Sequence, residues 1–373
     1  MAGFRQNIPR RVRLRGDQPA WLICRHADVR QALNEPLLSV DDQHPNFPNR
    51  LLVPLAPRIQ SFWRMDAPEH PALRRLVMPD FTAHRTKQYR PLVEAVTDQL
   101  LDGLAELTGP IDLWPAFALA LPCIVIARIF GVPDEDMDEF RTHTGELLNQ
   151  EQPEKAMAAY EATTSYLRHL ARSRAKAPRD DLMSRLVNGR VAGDPINEDD
   201  LVAMVRLMLV AGHETTASQL ALSLFTLLDR PELKTTVLEH PERIGDLVEE
   251  LLRYWSIPQD NVVRVAKGDV RIGGALIADG DAVLISIPSA NHDDEVFPAA
   301  DRFDLDRDSR AHLAFGYGAH HCPGASLARQ EMEVALPAIF RRFPDLRLAV
   351  PSAEVPFRLN TLVYGLEALP VLL

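Results

Sequence analysis

Three groups of residues in this chain have types and spacings that could do chemistry. The first is Phe315-Gly316-Tyr317-Gly318-Ala319-His320-His321-Cys322-Pro323-Gly324, a loop carrying a cysteine that runs straight into the helical stretch Ala325 to Phe343. A thiolate is the nucleophilic and metal-ligating form of cysteine, and it is favoured at a helix N-terminus, where unpaired N–H groups and the macrodipole stabilise negative charge. The glycines permit backbone angles or close approaches that a Cβ would block, so the chain can wrap tightly around the sulfur and a flat ligand. A lone cysteine before a helix is by default a buried thiol, and only the surrounding pattern argues for more. The second group is Ala211-Gly212-His213-Glu214-Thr215-Thr216, inside a long apolar helical run. A mid-helix glycine costs about 1 kcal/mol relative to alanine, and a buried acid costs more unless paired, so the patch is locally unfavourable in the way functional sites are. Thr215 can bond the carbonyl four residues back, at Ala211, and loosen one helix bond. His213-Glu214 begins a His-Glu-x-x-His zinc motif, but position 217 is alanine, which removes the second ligand. The third group is His70 and Arg74, four apart in Asp66-Ala67-Pro68-Glu69-His70-Pro71-Ala72-Leu73-Arg74-Arg75, where prolines and acids mark a helix start. Two donors on one helix face suit an anion; without the cysteine loop they would read as a solvated face.

Helices must position these groups. Asn197 caps a run whose first turn holds Glu198, Asp199 and Asp200 and which stays apolar to Leu228; at ~1.5 Å per residue it would be about 45 to 50 Å long and cross the whole molecule. Helical spacing also recurs in Tyr89 to Leu107, Ala116 to Phe130, Asp136 to Leu148, Glu154 to Arg174, Asp180 to Val187 and Pro241 to Tyr254. Glu250 and Arg253 share a face of the last of these and can pair as a carboxylate with an arginine fork. Strands are short: Arg11 to Arg15 and Trp21 to Ile23 form a hairpin, and Val270 to Ile272 and Ala282 to Ile287 a second sheet region. The long loop Pro36 to Arg58 carries apolar residues that must be hidden, as functional loops do.

The chain has 373 residues, enough to bury a cofactor, and 41 basic against 52 acidic residues, a formal charge of −11 that argues against nucleic acid as a partner. Cys24, Cys123 and Cys322 are odd in number and far apart, which suits a reducing cytoplasm. The N-terminal stretch Met1 to Arg15 alternates arginine with apolar residues and contains neither a signal-peptide apolar run nor one long enough to span a bilayer.

The cysteine loop matches, at every fixed position, the Phe-Gly-x-Gly-x-His-x-Cys-x-Gly haem signature of the cytochrome P450 family, and Ala211 to Thr216 resembles that family's Ala/Gly-Gly-x-Asp/Glu-Thr-Thr/Ser patch. The resemblance covers nearly the whole chain. It implies a mainly α (α+β) fold in one domain over residues 1–373, with a large helical region, small antiparallel sheets, and haem between the central helix and the cysteine-loop helix. It implies haem b (iron protoporphyrin IX) with Cys322 as the axial iron ligand. Phe315, Gly316, Gly324 and Ala211 would contact the haem, and His70, Arg74, Arg264 and His320 its propionates. Gly212 would open a groove for dioxygen, Thr215 hydrogen-bond the oxygen under activation and Glu214 bring protons. Leu51, Leu52, Leu207, Ala211, Gln259, Asp260, Asn261, Val262 and Val363 would line the substrate pocket beneath a lid running from Arg141 through Arg174. Arg302 would join Glu250 and Arg253 in a structural triad. Pro323 departs from the family's aliphatic residue and removes one N–H donor near the sulfur.

The activity so implied is a haem-thiolate monooxygenase that inserts one atom of O2 into a small organic molecule in natural-product biosynthesis. Its electrons come from NAD(P)H through an external ferredoxin reductase and ferredoxin, the latter docking near Arg74, Arg75 and Arg329. The protein is expected to be a cytoplasmic monomer. Two alternatives use the same residues differently: oxidative coupling of aromatic groups without oxygen insertion, and a non-catalytic relative that recruits substrate.

Overall fold

In the computed structural model, residues 9–14, 17–48, 61–147, 152–258, 262–358 and 363–373 are described. The organising element is the helix Glu198–Asp229, 32 residues and therefore about 48 Å long. Its N-cap is Asn197, whose side chain accepts the Asp199 N–H at 2.8 Å. The helix is apolar around its whole circumference because other helices surround it, burying most residues from Leu201 to Leu227. The helix Ala120–Phe130 crosses it at Gly212, where an added Cβ would stand 3.3 Å from Ile126 Cγ1. On other sides pack Pro153–Lys176, Ile244–Trp255 and Ala325–Arg342.

Sequence periodicity finds most helices, with two instructive departures. The expected run Ala116 to Phe130 begins as a π turn, Trp114–Ala118, in which the Leu119 N–H reaches the Trp114 carbonyl, before the α-helix starts at Ala120. A helix absent from the expected runs, Pro231–Glu239, follows the central helix at once, with Pro231 in its first position.

The sheets are small, as expected. The largest orders its strands Arg10–Arg13, Pro19–Ile23, Ala282–Ile285, Val263–Ala266 and Leu38–Ser39. All its pairings are antiparallel except Pro19–Ile23 with Ala282–Ile285, which run parallel with Ala20 opposite Ala282. This sheet fixes Arg264 opposite Val283 and so aims it from a rigid strand. A two-stranded hairpin, Phe357–Arg358 with Gly365–Leu366, packs against the middle of the central helix. Among the described residues, no helix is long and apolar enough to cross a membrane.

Candidate active site

The cysteine loop is a set of tight turns. Gly316 (φ +71°) and Gly318 (φ +72°) lie in the left-handed region, and at Gly318 a Cβ would stand 2.9 Å from both the Leu33 carbonyl and Asn34 Oδ1. The Cys322 N–H donates to the Phe315 carbonyl at 2.8 Å, closing the loop on itself. Cys322 lies just before the helix Ala325–Arg342, with its sulfur close to Gly324 and the backbone N–H groups of Gly324 and Ala325 favouring negative charge there. Burial pushes the thiol's pKa up, opposed by those two donors and by Arg74 and Arg329. A partly exposed cysteine at a helix start, with the charges of Arg74 and Arg329 favouring its anion, has the donor chemistry of a metal-ligating thiolate.

Beside the loop, two histidines and two arginines converge. The His70 and His320 rings stack with centroids 4.0 Å apart, and Phe62 covers the other face of His70. His70 sits in the helix Glu69–Val77, where Pro71 does no harm because first-turn N–H groups have no intrahelical partner. Arg74, on the same helix, donates to the His321 carbonyl at 2.5 Å. Arg264 is buried and donates to its neighbouring carbonyl at Val263. The crowding shows in the protonation equilibria: burial and Arg74 lower His70 to about 4, burial, His70 and Arg264 lower His320 to about 3, and burial with nearby Arg64 lowers Arg264 to about 10. The carboxylate they feel, Asp66, is taken up by Lys267 Nζ at 2.7 Å and Ser39 Oγ at 2.5 Å. His70 Nε2 is buried with no partner among the described residues. Such a cluster fits the two carboxylates of a haem.

The otherwise buried central helix carries one accessible stripe. Leu207, Val210, Ala211, Glu214 and Thr215 are partly or fully exposed at helical spacing, while their neighbours Leu209, His213 and Thr216 are buried. The Thr215 hydroxyl donates to the Ala211 carbonyl at 2.6 Å, as its spacing implies. His213 is buried and bonded to the Leu209 carbonyl at 2.7 Å, a core histidine. Gly212 has a packing reason in Ile126. Glu214 has a partner that the sequence does not disclose: Arg358 Nη1 donates to its Oε1 at 2.6 Å while Nη2 reaches Ser218 Oγ at 2.9 Å. The Arg358 guanidinium also lies 4.4 Å over the Trp114 ring.

Beneath the loop, Glu250 and Arg253 are fully buried and joined by a fork at 2.6 and 2.7 Å. The third arginine is not Arg302. That side chain is exposed, and only its carbonyl takes part, accepting from Arg253 Nη2 at 3.2 Å. Arg307 replaces it, 6% exposed, with Nε 3.5 Å from Glu250 Oε1. The correction follows from the path of the loop, which turns Arg302 outward and brings Arg307 back over the carboxylate five residues later. Ser309 Oγ and the Asp304 N–H complete the coordination of Glu250.

Of the expected pocket residues, Leu51, Leu52, Gln259, Asp260 and Asn261 lie outside the described residues, as do Thr361 and Leu362. Leu207 and Ala211 are on the accessible stripe. Val262 is partly buried, and Val363 pairs with Pro258 across an antiparallel bridge.

Comparison with known proteins identifies the family. The family model for cytochrome P450 matches residues 138–363. Cytochrome P450-SU2 of Streptomyces griseolus is 42% identical over 94% of this chain and 87% of its own length, and nocardicin C N-oxygenase of Nocardia uniformis subsp. tsuyamanensis is 40% identical over 97% and 91%. The crystal structure of GfsF superposes with a TM-score of 0.92 at 37% identity, covering 99% of this chain and 94% of that one. The chain belongs to the cytochrome P450 family, and is a monooxygenase that works with haem, O2 and electrons from redox partners.

Proposed function

We propose that Cys322 is the axial ligand of the haem iron and that His70, Arg74, Arg264 and His320 receive the propionates. When bound, the haem supplies reductive activation of O2 and insertion of one oxygen atom into an organic substrate. The chain's part is to hold sulfur, carboxylates and substrate in register. Cys322 is fixed by its N–H bond to the Phe315 carbonyl and by its place at the start of the helix Ala325–Arg342. The substrate lies along Leu207, Val210 and Ala211, where the central helix is accessible. Thr215 offers a hydroxyl whose proton bonds Ala211, and Glu214, held at the end of the same stripe by Arg358, takes protons inward when that pair opens. The observation that carries this reading is a cysteine at a helix start beside Arg74, Arg264 and two stacked imidazoles, of which His70 keeps a buried ring nitrogen with no partner among the described residues. Cys322→Ser tests it: the variant should lose the strongly red-shifted band of the reduced carbon monoxide complex, and an unchanged spectrum would refute the assignment.

Relatives named for natural-product oxidation, such as nocardicin C N-oxygenase, support a substrate from secondary metabolism. For electron supply we infer an acidic ferredoxin, reduced from NAD(P)H by its reductase, docking where Arg75 is exposed beside Arg74. Arg329 contributes less than its position in the sequence implies, because Glu249 already pairs with it. Turnover insensitive to salt and to Arg75→Glu would refute that docking. The three free cysteines fit a reducing cytoplasm, and we assign the chain there as a monomer.

A further inference from the structure

Glu249 stands immediately before Glu250 on the helix Ile244–Trp255 and faces a different direction. Its carboxylate accepts Arg329 Nε at 2.5 Å and Nη2 at 3.1 Å, a bidentate pair reaching across to the cysteine-loop helix. His312 Nε2 lies 3.1 Å from the same carboxylate, while its Nδ1 accepts the Ala314 N–H at 3.1 Å. The paired guanidinium is 4.6 Å over the ring of Phe315, whose carbonyl holds the Cys322 N–H. One carboxylate thus holds the cation over Phe315 and lies against His312 at the other end of the segment 312–315. It is mostly shielded, with 14% of its side chain exposed, and although burial opposes ionisation, His312 and Arg329 hold its pKa down at about 2.

Arg329 is also one of two guanidinium groups whose charge reaches the sulfur, the other being Arg74. Pro323 has no N–H to offer, so fewer backbone donors share the task of stabilising negative charge there. We propose that Glu249 is a positioning residue for the thiolate: it pins Arg329 over Phe315 and offsets its charge, and so sets how strongly the Cys322 sulfur donates to the iron it ligates. This rests on the assignment of Cys322 as axial ligand. A thiolate facing an uncompensated cation donates less, and a site with one more positive charge accepts an electron more readily.

The test is potentiometry of the ferric–ferrous couple in the holoenzyme, with the reduced carbon monoxide spectrum recorded on each sample. Glu249→Gln keeps the shape and some hydrogen bonding but leaves Arg329 uncompensated; the reduction equilibrium should move toward ferrous by about tenfold, which is 59 mV for a one-electron couple. Arg329→Gln leaves the carboxylate uncompensated and should move it the opposite way. The double variant should return close to the native value. A structural role alone would not give opposite signs that cancel. Single variants that keep the thiolate band but leave the potential within a twofold change in the equilibrium constant, or that shift it in the same direction, overturn the proposal and leave the axial assignment standing. Loss of the dependence of that band on Cys322 would overturn the assignment itself. If Glu249→Gln does not fold, the sign found for Arg329→Gln decides.

Discussion

Removing Arg358 should cost stability and uncouple the enzyme, and the size of the effect follows from its contacts. Its guanidinium donates to Glu214 at 2.6 Å and to Ser218 at 2.9 Å and stacks on Trp114, with 23% of the arginine and 15% of the glutamate side chain exposed. At an effective dielectric of about 20 the gross attraction at that separation is about 6 kcal/mol. Desolvation of both groups takes back much of it, and hydrogen bonds to charged groups contribute about 1.5–3 kcal/mol net. A double-mutant cycle of Glu214→Gln with Arg358→Gln should therefore show a coupling of about 2 kcal/mol in chemical denaturation. For a chain of 373 residues, at about 2.1 cal/mol/K per residue, Arg358→Gln should lower the melting temperature by about 3 °C. In turnover the freed Glu214 loses its fixed position, so less product should form per NAD(P)H and more peroxide. A coupling below about 0.5 kcal/mol together with unchanged product yield would refute the role given to this pair.

Arg307→Met should destabilise by about 2–4 kcal/mol in urea, because it strips a buried cation from Glu250 and frees the carbonyls of Pro298 and Ala299, whereas Arg302→Met, at an exposed side chain, should stay within about 0.5 kcal/mol. Gly318→Ala places a Cβ 2.9 Å from the Leu33 carbonyl at φ +72°; it should cost about 1–3 kcal/mol and lower the haem content of purified protein, read from the haem-to-protein absorbance ratio. His70 and His320 have folded values depressed from 6.5 to about 4 and about 3, so the unfolded chain binds more protons below pH 6.5 and the apoprotein's stability falls as pH drops from there to about 3. At about 1.4 kcal/mol per tenfold, His70 alone contributes up to about 3 kcal/mol to that loss. Bound propionates should flatten this slope in holoenzyme melts, and equal slopes with and without haem would contradict the propionate assignment.

The cysteine loop was legible because its chemical demand is written contiguously: turns that need glycine, a donor set at a helix start, and the thiol between them. The patch at Glu214 was legible as a need. An acid inside an apolar helix requires a partner, but that partner is Arg358, 144 positions away on a hairpin whose packing no local period reports. Arg302 and Arg307 show the same limit at short range. Both are arginines in one irregular loop, and the route of the backbone decides which returns to Glu250. The cation cluster was half legible. His70 and Arg74 share a helix face in the sequence, while their neighbours Arg264 and His320 arrive from a strand and a loop far along the chain.

Glu249 and Glu250 carry that point further. On a helix, consecutive residues diverge by about 100°, so two adjacent carboxylates serve two separate structures. Glu250 turns into the protein and gathers Arg253, Arg307 and Ser309, which fixes the irregular stretch leading to the loop. Glu249 turns toward the cysteine-loop helix and fixes Arg329 and His312. The loop is thus held before and after its glycines by one rigid element, and its sulfur sits where the charge balance of that element is felt. In an acidic chain of net charge −11, basic groups are concentrated where the proposed haem needs them, and carboxylates near them each hold a specific basic side chain. Asp66 with Lys267, Glu214 with Arg358, and Glu249 with Arg329 are three instances of one arrangement, each removing a charge from circulation next to a group whose own charge state matters.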